Sequence, residues 1–212
     1  PWKGADAAKF DAISLAEWIG KSEASAVCKR GMTVEMTASN GAPTEKQSYL
    51  ANLAQVAGGG FEKYWPESEV YRCKGGNQQL AHKLAEGIGS DRVVLKLPVT
   101  KIEQKGDKMV VTCADKRTLE CDDVVLTVPP SVWSKITFEP GLPPAIKTQM
   151  GRNVKYISAV KSRFWKKDKL SQYAFTDTNV QMTWESTDAQ AEEGESALNA
   201  FSGGPAADAC IG

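Results

Sequence analysis

The sequence predicts a mixed α/β (α+β) fold made of two interleaved units, and three observations carry that expectation. Residues 1–70 read as helices, residues 93–128 read mainly as strands, and the remainder mixes the two, an order that suggests interleaving rather than tandem domains. At 212 residues the chain is long enough to bury a core in one large domain or two small ones. Its 42% hydrophobic and 25% charged residues are those of an ordinary globular protein, neither disordered nor membrane-spanning.

Ser14, Leu15, Ala16 and Glu17 form a capping box, in which the Ser hydroxyl and the Glu carboxylate satisfy the free amides of a helix start, so a helix is expected over Leu15–Lys21. Thr44, Glu45, Lys46 and Gln47 repeat the device after Pro43. Leu50, Leu53, Ala54 and Val56 then mark an apolar helix face that stops at Gly58, Gly59 and Gly60. After the aromatic cluster Phe61, Tyr64 and Trp65, the pair Gly75 and Gly76 opens a helix carrying Leu80, Leu84 and Ile88 at intervals of four.

Val93 to Ile102 begins a strand-rich region, with a hairpin turn at Lys105, Gly106 and Asp107 leading into Met109 to Cys113. Pro98 has no amide donor, so its strand should be an edge or be locally broken. A turn at Asp115 and Lys116 leads to Thr118, Leu119 and Glu120. The apolar run Val124, Val125, Leu126, Thr127 and Val128 suits a strand buried on both faces, ended by Pro129 and Pro130. A short helix is expected over residues 144–151 and a strand over residues 154–160.

Several function classes are set aside by composition. Twenty-six basic residues balance twenty-six acidic ones, which removes the footprint of a nucleic-acid binder. No apolar run approaches the roughly 20 residues of a membrane span. Pro1, Trp2, Lys3 and Gly4 hold neither a starting Met nor an apolar leader, so the first residue reads as a cut by processing or design. Five cysteines, an odd number without a CxxC pair, argue against a disulfide scaffold or zinc ribbon and read as buried free thiols.

Few residues suggest chemistry by themselves. His82 is the one histidine, so a multi-histidine metal site is unavailable, and it falls on the wet face of its helix. Gly75 and Gly76 could aim free amides at an anion or serve only close backbone packing, and the third glycine of a dinucleotide fingerprint is missing. Lys155 interrupts an apolar strand, Asn153 to Ile157. Outward it is an ordinary surface lysine; inward it must be paired, hydrated or deprotonated, and becomes a functional candidate.

Taken together, Tyr71 to Leu80, Val93 to Ile102, Val124 to Ser131, Lys135 to Pro143, and Val154, Lys155 with Arg163, Phe164, Trp165 and Lys166 resemble the central blocks of the flavin-containing amine oxidases, which include monoamine and L-amino-acid oxidases. The resemblance covers most of the chain and is best over residues 71–166. It implies that residues 71–129 are the middle segment of an FAD domain, that residues 1–70 are the helical part of a substrate domain, and that residues 130–212 are its sheet part. Val99 matches the family valine whose backbone meets the adenine end of FAD. Thr127, Val128 and Pro129 match the strand end that passes close to the cofactor.

Lys155 matches the lysine that holds a water against flavin N5, which favours the inward reading. The implied reaction is hydride transfer from the amine-bearing carbon to flavin N5, hydrolysis of the imine, and peroxide release on reoxidation, with the electron chemistry belonging to the cofactor. Glu69, Trp65 and Trp184 are candidate cavity residues. An amino-acid substrate would call for an arginine, and neither Arg72 nor Arg152 is assigned that part. No GxGxxG occurs, and the family's C-terminal flavin block is also missing, so this chain alone is not expected to retain FAD. A homo-oligomer or a complementing chain could supply what is missing. The alternative reading is a cofactor-free, noncatalytic interaction module of the same descent.

Overall fold

The computed structural model describes residues 1–188, 190 and 195–211. The chain divides into two compact units, one made of Pro1–Ser68 with Met150–Gly212 and the other of Glu69–Gln149. It therefore builds part of the first unit, completes the second, and returns. Residues 130–149, expected with the later sheet, fall in the second unit because a strand at Thr137–Glu139 pairs there.

The first unit opens with helices α1 (Ala7–Asp11), α2 (Leu15–Lys21), α3 (Ala26–Asn40), α4 (Tyr49–Gly58) and α5 (Tyr64–Glu67). The box before α2 forms as expected: Ser14 Oγ accepts the Glu17 amide at 3.1 Å, and Glu17 Oε2 accepts the Ser14 amide at 3.2 Å. The second box does not form. Thr44–Lys46 is one 3₁₀ turn, and α4 starts behind Ser48, whose Oγ accepts the Ala51 amide at 3.1 Å. Helix α3, the longest, has no acidic or amide side chain at its third position to announce it. Its Ser25 cap, accepting from the Cys28 amide, is the only local signal, and Gly41 (φ 65°) ends it. Leu15, Ile19 and Leu50 are buried where α2, α3 and α4 pack, and Ala38 is buried where α3 meets β8.

In the second unit, α6 (Gln78–Ile88) precedes a sheet of β1 (Val99–Lys105), β2 (Lys108–Cys113), β3 (Thr118–Cys121) and β4 (Thr137–Glu139), in the order β3-β2-β1-β4. Gly106 (φ 63°) turns the β1–β2 hairpin, as its sequence requires. Pro98 lies just outside the ladder, whose register shifts between Val99 and Lys101, so the break occurs at the strand's entrance. Three expectations fail here. Residues 93–98 form no strand. Residues 124–128 join no ladder among the described residues, and Val125 is 86% exposed: an apolar run becomes a buried strand only when neighbours pair its backbone and cover its faces. Residues 144–151 are exposed and not helical, since so short a helix without packing is unstable.

The chain re-enters the first unit with β5 (Asn153–Val160), α7 (Phe164–Lys167), β6 (Ala174–Phe175), β7 (Met182–Glu185), β8 (Ser196–Gly203) and α8 (Pro205–Ile211). The four strands form an antiparallel sheet in the order β5-β8-β7-β6. Glycine is demanded at Gly203, where a Cβ would meet the carbonyls of Thr37 and Ala38 at 2.5 Å, so β8 presses directly on α3. Asn153 Nδ2 donates to the Ala38 carbonyl at 2.6 Å, and the Arg152 amide donates to the Gly41 carbonyl at 2.8 Å, tying β5 to the same helix end. Arg163 and Glu185 form an ion pair at 2.6 Å, their side chains 9% and 2% exposed, and the Thr187 hydroxyl donates to the same carboxylate at 3.0 Å.

The cysteines are free, yet only Cys113 is buried. Cys121 is half-buried, and Cys28, Cys73 and Cys210 are exposed, because these three lie on outer helix turns and a loop rather than in a core.

Candidate functional site

Register decides what surrounds Lys155. On β5 it lies opposite Phe201 of β8, which lies opposite Met182 of β7; the next row on the same face is Ile157, Asn199 and Trp184. The Lys155 ammonium accordingly stands 5.1 Å from the Trp184 ring centroid and 5.3 Å from that of Phe201. The two rings meet edge to face at 5.4 Å, interplanar angle 68°. An ammonium at this range is attracted by the negative ring faces, which fix it without a counter-charge. Lys155 is exposed, so the inward placement that the resemblance favoured is not what this chain shows, and among the described residues its ammonium meets the two rings rather than a carboxylate or carbonyl. The site thus consists of an aromatic shelf bearing a cation with free N–H groups.

Trp184, a cavity candidate from sequence, is brought to Lys155. Phe201 was missed, since only the pairing of β5 with β8 sets it beside the lysine. Trp65 lies instead among the helices, stacked edge to face on Tyr64 at 4.7 Å. Glu69 opens the second unit, exposed and with left-handed backbone (φ 62°). Arg152 is engaged by Asp208 at 2.9 Å.

The proposed cofactor contacts all lie in the second unit. Val99 is half-buried at the mouth of β1, while Thr127, Val128 and Pro129 are exposed in the unpaired apolar run. The Val128 carbonyl accepts Trp133 Nε1 at 3.0 Å, which anchors the end of that run against a 3₁₀ helix, Pro130–Lys135. Gly75 and Gly76 take φ 84° and 103°, and the Gly76 amide donates to the Cys73 carbonyl at 2.9 Å, so a tight turn accounts for both glycines without an anion. His82 is exposed on α6.

Among the described residues no group of three or more His, Cys, Asp or Glu could hold a metal ion, and no helix is long and apolar enough to cross a membrane. The residues fit a flavin in kind. Within the first unit, an ammonium on an aromatic shelf can present a proton donor to a heteroaromatic nitrogen through water; within the second, taken by itself, residues 124–128 leave backbone groups outside any ladder among the described residues.

The model of the flavin containing amine oxidoreductases matches residues 2–210. Putrescine oxidase of Kocuria rosea is 29% identical over 202 residues, covering 82% of this chain and 41% of that protein. The flavin-containing amine oxidase A of Sus scrofa is 26% identical over 184 residues, covering 79% of this chain and 33% of that protein. Among solved structures, an engineered putrescine oxidase double mutant superposes with a TM-score of 0.84 at 25% identity, covering 100% of this chain and 49% of that one. The cyclohexylamine oxidase of Brevibacterium oxydans shares the fold, with a TM-score of 0.80 at 24% identity, 100% of this chain and 48% of that one. The chain thus spans half or less of the length of these relatives. Since the match runs through nearly every element described above, the chain belongs to the flavin containing amine oxidoreductases, a family whose complete enzymes carry FAD.

Proposed function

We propose that this chain is the central segment of an FAD-dependent amine oxidase, in which Lys155 is the polar group acting beside the flavin. The observation that carries this reading is the unclaimed Lys155 ammonium above Trp184 and Phe201. In the complete enzyme Val99, Thr127, Val128 and Pro129 would hold the cofactor, with residues 71–129, and residues 130–149 that pair with them, forming the middle of its FAD domain and residues 1–68 and 150–211 belonging to the substrate domain. The exposed apolar face of α6 supports that part of the reading, because Leu80, Leu84 and Ile88, 55–67% exposed, are residues that a larger domain would cover.

When bound, the flavin would supply the two-electron oxidation of the amine, with oxygen as the final acceptor. The chain's own residues do the rest. Lys155 donates to a water and holds it in place, and the charge of the ammonium favours a basic site on whatever that water faces. Trp184 and Phe201 keep the lysine from collapsing onto the sheet and offer an apolar wall to the substrate's body. A neutral amine loses less than an ammonium in approaching such a cation, so the substrate is expected to react as the free base. Small primary amines are the substrate class; putrescine oxidase is a related enzyme.

The exposed face of α6 also favours a second reading, a noncatalytic module that uses the face to bind a partner. Flavin absorbance and amine-dependent peroxide release separate the two, measured on the 212-residue chain and on the protein extended at both ends. The proposal expects no flavin in the short chain and a yellow, peroxide-forming extended protein. An extended protein without flavin or turnover would favour the module, and a stoichiometrically yellow short chain would contradict the expected need for the flanking segments.

A further inference from the structure

Helix α3 has two opposed faces. Thr37 and Ala38 back onto β8, as the close approach of Gly203 demands. Met32, Glu35 and Met36, spaced three and four apart, face the other way, into a cavity of about 270 Å³ closed by α2, α4 and α5. The helix itself therefore separates this cavity from the β8 side of the unit.

The cavity wall is mainly aromatic and thioether. Trp18 stacks on Tyr49 with centroids 5.2 Å apart and an interplanar angle of 17°, and Trp65 lies on the same wall. The amides of Asn40, Asn52 and Gln55 on this wall are already committed to Gln47, Ser48 and Tyr64. Glu35 is different: it is the one charged residue of the lining, half-buried, and among the described residues no donor or cation meets it. Burial pushes its carboxyl above the usual range, the mark of a charge that lacks compensation. A carboxylate that folding leaves unpaired beside electron-rich rings is complementary to a cation, because carboxylate and ring faces attract the same charge.

We propose that this cavity is a second, noncatalytic binding site for a small organic ammonium, its N–H groups on the Glu35 carboxylate and its apolar body among Trp18, Tyr49, Trp65, Met32 and Met36. Its size suits one ring or a short aliphatic chain. The site lies wholly within the first unit and needs no flavin, so it stands or falls separately from the role given to Lys155.

The test uses the 212-residue chain, with 2-phenylethylammonium as probe and tryptophan fluorescence as readout, since two tryptophans line the cavity. The expected result is a saturable change, with binding at least about tenfold weaker for Glu35→Gln and for the uncharged 2-phenylethanol, in line with the loss of one charge-assisted hydrogen bond. Affinity for the cation should also fall as acid protonates Glu35. Absence of a saturable change, or equal affinity in Glu35→Gln, or equal affinity for the alcohol, would each overturn the proposal. Glu35→Gln removes a buried charge and keeps the side-chain volume, so a folded variant is expected; its circular dichroism would establish that any lost binding is local.

Discussion

The two units solve the same problem to different degrees. In the first, α3 and α8 pack on β8, Gly203 lets β8 touch α3, and even the charged pair Arg163–Glu185 is buried with a third partner, although Tyr156 and Ile157 of β5 stay exposed. In the second, the ladders are complete, yet Ile102 and Cys113 are its buried apolar residues among those described, while α6 and residues 124–128 leave apolar side chains exposed. Local sequence is enough to make a hairpin or an amphipathic helix. Covering its apolar face requires elements that pack from elsewhere, and the second unit contains too few of them.

That contrast can be broken first at the ion pairs. Arg163→Ala leaves Glu185 buried and uncompensated, so a loss of about 3–5 kcal/mol is expected in chemical denaturation of the first unit. Lys108→Ala in the second unit removes an exposed pair with Asp122 and should cost under about 1 kcal/mol. Similar costs for both would erase the distinction. Next in size is Gly203→Ala, whose methyl must displace the α3 carbonyls; a loss of about 1–3 kcal/mol is expected, read from the urea midpoint at constant slope.

The contrast sharpens at α6. Leu84→Gln should change the stability of the 212-residue chain by no more than about 0.5 kcal/mol, because Leu84 is 60% exposed. In a complete flavoenzyme that covers this face, the same change should cost about 1.5–3 kcal/mol. Equal, small effects in both would mean that the face stays open.

The smallest effect belongs to Glu35. Its folded carboxyl is raised, so the protonated form is favoured by the fold: the relative stability it lends is full below the unfolded carboxyl value of about 4.3 and declines as pH rises through the raised value. Glu35→Gln should therefore raise the melting temperature slightly at pH 7, by a free energy well under the roughly 1.4 kcal/mol of one pKa unit, since the group is half-exposed. The gain should vanish below pH 4; a gain that persists there would assign the effect to packing rather than charge.

What could be read from the residues alone followed the range of the interactions. The Ser14–Glu17 box, the Gly106 turn and the stop after Gly58 act over a few residues and were legible. Helix α3 was not, because its weak apolar periodicity leaves Ser25 as the main signal, and Thr44 misled because its local pattern fits either a helix cap or a single turn. At the candidate site, Lys155 and Trp184 were legible as residue types. Phe201 depends on a pairing across forty-odd residues of chain, and the Glu35 cavity on four helices meeting, neither of which leaves a local trace.

The central claim, that Lys155 serves the flavin, is tested most directly by stopped-flow absorbance of the complete flavoenzyme carrying Lys155→Met. Methionine is unbranched and one atom shorter than lysine, so it keeps an apolar chain toward Trp184 while removing the donor and the charge. A fall of tenfold or more in the rate of flavin reoxidation by oxygen is expected, with amine binding retained; wild-type rates of both reduction and reoxidation would contradict the account.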